Sequence, residues 1–214
     1  MPILNPLEIP TLMGFKTRKF DLTHAQMMSP AGTKGFIQTI NRTSPFWYAE
    51  YTTAALDDAS YNDARSFLDQ LEGSINTFLA YDPRRAMPQA YKAMAVGSNP
   101  WGTATITAQD YANSTISLGA MTNGAVVTKG DYISVKIGNI WYLFRAQETK
   151  TAASNVVASL VVRPRPQIVG FTTTAIRYQR ACIEMKMFGT PEEQVSVGEF
   201  PTLSFKAGHF VNRT

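Results

Sequence analysis

Residues 46–88, FWYAEYTTAALDDASYNDARSFLDQLEGSINTFLAYDPRRAMP, change their hydrophobic period twice, and no other part of the chain carries a sustained helical period. Phe46, Trp47, Tyr48, Tyr51, Thr52 and Thr53 favour strand, because aromatic and β-branched side chains pack well on a pleated surface. Ser60 predicts an N-cap, with Asp63 three residues on as a weak capping box and Asp57 and Asp58 adding negative charge at the helix start. Ala64, Phe67, Leu68 and Leu71 recur at helical spacing, and Gly73 suits a left-handed residue after the last turn. A helix over about 60–72 follows. From Ile75 to Tyr81 the pattern returns to strand, and Asp82-Pro83 with Pro88 closes the unit with a turn. A lone helix has one apolar stripe, so it must lie on a sheet that the rest of the chain supplies.

The remainder supplies strands. Pro2, Pro6 and Pro10 remove backbone donors, so residues 1–14 are expected to form an extended arm ahead of one domain over 15–214. Strands are predicted from Phe15 to about Met28 and from Phe36 to Thr43, parted by a turn at Pro30–Gly35. One helical turn is expected near 89–94, then strands at 103–108 and 114–119. Ile133, Val135 and Ile137 alternate with polar residues up to Gly138-Asn139, and Ile140 to Phe144 leave it, which predicts a tight hairpin. Residues 155–163 form another β-branched run ended by Pro164 and Pro166, and the RPRP segment suggests an edge strand blocked against pairing. A strand pair at about 175–188 and 195–206 is joined by Gly189-Thr-Pro191-Glu-Glu. About ten short strands against one helix make the expected fold mainly β, a sandwich with one flanking helix.

Chemistry-bearing residues are few. Cys182 is the only cysteine, which excludes an internal disulfide and any cysteine metal cage, and its setting in ACIEMKM suggests a buried small hydrophobe. His24 and His209 are the only histidines, and neither accompanies a nucleophile elbow. Asp57, Asp58, Asp63 and Asp69 are explained by the helix, and no phosphate-cradling glycine motif occurs. No catalytic, cofactor-binding or metal-binding residue is therefore expected, and the chain is not expected to be an enzyme. The net charge of +4 comes from basic residues scattered in short groups rather than gathered on one face. No stretch of about 20 apolar residues exists to span a membrane, and the N-terminus lacks a secretory pattern. Trp47, Tyr48, Trp101, Trp141, Tyr142 and Phe144 allow an alternative, a stacking platform for carbohydrate or single-stranded nucleic acid, though core packing accounts for them better.

Several short elements carry a family resemblance. They are the aromatic strand, the helix ending Leu71-Glu72-Gly73, Asn76-Thr77-Phe78, and Tyr81-Asp82-Pro83-Arg84 before Pro88. The hairpin opened by Gly130-Asp131-Tyr132-Ile133, Leu143 on its return and the proline–arginine run at 163–166 follow in the same order. Together they resemble the minor tail proteins of long-tailed bacteriophages or of gene-transfer-agent-like particles, and among these most the distal tail protein. That resemblance implies a tail-tube-like β-sandwich assembling as a hexameric ring at the tail tip, in a virion built in the host cytoplasm. Its implied partners are the tail-tube protein on one side and the tip or hub protein on the other, with DNA passing through the lumen without specific binding.

Overall fold

Alternation decides which faces are buried, and Phe46–Thr52 shows it directly: Trp47, Ala49 and Tyr51 point into the core while their neighbours do not. The computed structural model describes residues 6–10, 14, 16–24, 26–28, 39–41, 44–138, 140–166, 174–194 and 200–209. In chain order the elements are β1 (Leu7–Glu8), β2 (Lys16–Thr23), β3 (Gln26–Met28), β4 (Thr39–Asn41), β5 (Phe46–Thr52), α1 (Asp58–Gln70), β6 (Phe78–Tyr81), β7 (Thr105–Asp110) and β8 (Thr115–Gly119). There follow β9 (Val126–Val127), β10 (Tyr132–Ile137), β11 (Ile140–Ala146), β12 (Lys150–Thr151), β13 (Val157–Arg163), β14 (Thr174–Arg177), β15 (Cys182–Gln194) and β16 (Thr202–His209). The fold is mainly β with one flanking helix, as the sequence predicts.

The strands form a six-stranded sheet in the order β1-β6-β15-β16-β5-β2 and a closed barrel in the order β10-β11-β13-β8-β7-β14. Two small pairs, β3 with β4 and β9 with β12, complete them. Closure removes the edges that an open sheet would expose. Buried apolar residues fall into two groups, one between the sheet and α1 and one inside the barrel. The β10–β11 hairpin is the wall between them. Tyr132 and Leu143 face the sheet's core, whereas Ile133, Val135 and Phe144 face the barrel's. Gly138 opens its turn at φ +58°, a left-handed conformation that suits glycine.

Helix α1 begins earlier than expected. Asp57, not Ser60, is the N-cap, and its carboxylate accepts from the Ser60 backbone N–H at 2.8 Å. Hydrogen bonding from the Ser60 side chain, and next from its backbone N–H, holds the Asp57 carboxyl below its usual pKa. A helix of 13 residues is marginal alone, so packing sustains it. Phe67 meets Phe78 edge-on at 5.8 Å, and Phe78 meets Phe205 at 5.9 Å, which seats the helix on β6 and β16.

Other boundaries move for tertiary reasons. The expected strand at 175–188 is two strands, because the chain leaves the barrel after Arg177 and enters the sheet at Cys182, turning where Arg180 has φ +45°. Gly189-Thr-Pro191 does not connect strands but lies within β15, where pairing with β16 shifts register between Phe188 and Glu192. Arg163 is not on an edge strand, since β13 pairs with both β11 and β8. Within the expected arm, Leu7–Glu8 pairs in parallel with β6 and Ile9 is buried in the core. Pro30–Gly35, Asn139 and residues 195–199 lie outside the described residues.

The barrel docks on one end of the sheet. The Trp47 indole N–H donates to the Leu143 carbonyl at 3.0 Å, Ser134 Oγ donates to the Cys182 carbonyl at 2.7 Å, and Arg145 pairs with Asp21 at 3.1 Å. Glu8 and Arg177, also 3.1 Å apart, join the first strand to the barrel.

Candidate functional site

The reactive residues do not converge. Cys182 is buried beside Ser134, with Sγ 3.9 Å from Oγ, and burial raises its thiol pKa, so it packs as a small hydrophobe. His24 is exposed at the end of β2, while His209 closes β16. Asp69 stands on the exposed side of α1, 3.8 Å from Arg65. Among the described residues no group of three or more His, Cys, Asp or Glu side chains could hold a metal ion. No described helix is long and apolar enough to cross a membrane.

His209 has a measurable consequence even so. Its Nε2 is buried with no hydrogen-bond partner among the described residues, and burial pushes the imidazole pKa from 6.5 down to about 4. Between these values the unfolded chain binds a proton that the folded one refuses. Stability is therefore full above pH 6.5 and is lost as the pH falls towards 4. Melting temperature measured across that window should decline, and His209→Gln should remove a part of the decline worth about 1–3 kcal/mol. An identical slope in the variant would refute this.

The six aromatics singled out in the sequence do not make one platform. Trp47, Trp101 and Phe144 are buried in the two cores, and Tyr142 packs against the barrel interior. Trp101 stacks on Tyr178 at 4.7 Å and donates to the Val126 carbonyl at 3.1 Å. Trp141 is half-buried on the outside of the hairpin, with Lys136 and Arg177 about its ring at 6.0 and 5.9 Å. Tyr48, on the outer face of the six-stranded sheet, donates to Glu50 at 2.9 Å, and its pKa is pushed up to about 12 by burial and by that carboxylate.

The Asp82-Pro83-Arg84 turn is a structural clamp. Asp82 is buried, caps a short 3-10 turn through the Arg84 N–H, and accepts from the Arg84 guanidinium at 3.1 and 3.2 Å. Arg85 reaches across to the Gly130 carbonyl at 2.6 Å and lies over the Tyr132 ring at 5.2 Å. Buried Asp131 accepts from the Gln89 and Thr128 backbone N–H groups, each at 2.8 Å. This cluster fixes where the barrel sits against the sheet. The Arg163 guanidinium is likewise engaged, donating to the Val162 carbonyl and to Ser114 Oγ.

Outside the cores, large exposed apolar residues stand on both modules: Ile75, Phe188 and Phe200 on the sheet and helix side, Tyr111 and Val156 on the barrel. On the outer face of the sheet a shallow groove of about 430 Å³ runs over β2, β5, β16 and β15. Sequence reasoning missed it, because its residues come from four strands and are unremarkable one by one. No protein-family model matches the chain, and a search of curated proteins finds no match either.

Proposed function

We propose that this protein is a structural subunit of a bacteriophage tail, forming a homo-oligomeric ring at the distal end that joins the tail tube to the tip or hub. The observation that carries the reading is the build of two unlike modules on one chain. A closed barrel forms one end and a helix-covered open sheet the other, and each carries its own exposed apolar side chains. An axial adaptor needs that asymmetry, because it binds different proteins above and below. A ring also needs two different complementary lateral surfaces on each copy, since its contacts are heterologous. Among the described residues the sheet keeps an open edge along the eight-residue β2, whereas the barrel is closed. The resemblance of residues 46–88 and 130–166 to distal tail proteins points the same way. DNA would pass such a ring without base-specific contacts, and the work of the subunit is mechanical rather than catalytic.

The test is the mass of the purified chain in solution by light scattering, with negative-stain imaging of the particles. Six copies in a closed ring are expected, and a monomer at every accessible concentration would count decisively against the reading. Deleting residues 1–14 is expected to lower that mass, but it also strips Leu7 and Ile9 from this chain's own sheet and core. A truncation of residues 1–5 alone separates the two effects.

A further inference from the structure

The geometry points to a binding site for a neutral saccharide in the groove on the outer face of the six-stranded sheet. Its floor is Phe188, which is 50% exposed. The ring lies against Gly208 of the neighbouring strand so closely that a Cβ there would stand 2.3 Å from its Cε2. Glycine thus lets the ring settle on the sheet with its other side open to solvent. An exposed aromatic ring is the surface on which the C–H face of a pyranose stacks, since the ring's negative π face meets the sugar's polarised hydrogens.

Polar groups surround that ring in two cross-strand rows set by the register. Lys19, Glu50 and Lys206 lie in line with Phe188, because Lys19 pairs with Glu50, Glu50 with Lys206, and Lys206 with Phe188. Thr52, Ser204 and Glu192 form the next row. Among the described residues none of these four charged side chains is in an ion pair, and Glu50 is engaged only through Oε1, by Tyr48. Lys19 already lies over the Tyr48 ring at 5.5 Å, so the donors and acceptors in no ion pair of the fold are Lys206, Glu192 and the second oxygen of Glu50, which is what a ring of hydroxyls requires. Thr52 Oγ1, also without a hydrogen-bond partner among the described residues, is buried beneath the groove and is not counted with them.

Charge selects the ligand class. Two lysines and two glutamates cancel within the groove, so it offers no net attraction to a phosphate backbone or to an acidic peptide. Hydroxyls both donate and accept, and they match alternating ammonium and carboxylate groups better than an ion of either sign does. The ring assembly proposed above plays no part in this inference, so particle mass and sugar binding can fail separately.

The experiment is titration of the full chain with maltohexaose, cellohexaose and chitohexaose at up to millimolar concentration, followed by saturation-transfer NMR and calorimetry, with oligothymidylate as the anionic comparison. At least one oligosaccharide should bind. Phe188→Ala should weaken it by about tenfold or more. Gly208→Ala should weaken it several-fold by lifting the ring, and Phe200→Ala, at an exposed aromatic outside the groove, should leave it unchanged. Phe188 is at the surface, so an unaltered melting temperature is expected for Phe188→Ala and would show that it folds, whereas Gly208 is buried beneath the ring and Gly208→Ala is expected to melt lower while still unfolding cooperatively. Absence of binding by all three sugars, binding that survives Phe188→Ala, or tighter binding of oligothymidylate would each overturn the proposal. So would a change of particle mass in Phe188→Ala, because the groove would then be covered by a second copy.

Discussion

Replacement of Trp47 by alanine is expected to lower the unfolding free energy by about 4 kcal/mol, the range measured for removing a buried tryptophan or phenylalanine. Trp47 is 1% exposed on β5, and its ring lies 5.6 Å from both Phe20 and Tyr132, meeting the latter edge-on. Its indole N–H crosses to the Leu143 carbonyl on β11. One side chain therefore belongs to the sheet and touches both strands of the hairpin that walls the barrel. Truncation opens a cavity at the junction and removes a donor from a buried carbonyl, and these costs add. Domains of this size are stable by only about 5–15 kcal/mol, so the variant should unfold at markedly lower urea concentration. Trp47→Phe keeps most of the apolar burial and loses the hydrogen bond, so a loss of about 1–2 kcal/mol is expected. Equal midpoints for wild type and Trp47→Ala in urea titrations would show that the junction does not depend on this ring.

Asp131→Ala should cost about 3 kcal/mol for a different reason. The carboxylate accepts the Gln89 and Thr128 backbone N–H groups, and alanine leaves both donors without it in a buried setting. Burial raises the Asp131 pKa, although these two hydrogen bonds and Arg85 oppose the rise. The folded state thus favours the protonated acid more than the unfolded chain does. The stability from this group is full below the ordinary aspartate pKa and diminishes as the pH climbs through the raised value, the reverse of a salt-bridged carboxylate. Asp131→Asn retains one acceptor and is expected to lose about half as much as alanine. If the asparagine and alanine variants melt together at neutral pH, the carboxylate is not what holds the two connecting segments.

Much of the local structure was legible. The hairpin at Tyr132–Ala146 followed from alternation around Gly138, and the helix appeared within two residues of its predicted start and end. Its cap was misplaced because Asp57 and Ser60 are both good caps, and the sequence does not show which of them turns first. In the groove, the packing of the Phe188 ring on Gly208 was invisible for a stronger reason. The two residues are apart in sequence, and each alone suggests only a strand and a weak point in a strand. The clamp at Asp82–Arg85 was legible as a turn but not as a clamp, since its partners Gly130 and Tyr132 arrive from the far module.

The sequence by itself determined where the chain is extended, where it is helical and which aromatics are too many for the surface. Strand preference and helical period are local properties of side chains on a backbone, so residues 175–188 look like strand throughout whichever sheet receives them. Only the tertiary structure decided that this run is cut between barrel and sheet, that the β10–β11 hairpin faces two cores, and that four strands bring Lys19, Glu50, Lys206 and Phe188 into one row. Those outcomes rest on pairing between distant segments, where the loss of chain entropy is recovered only when all the partners are in place.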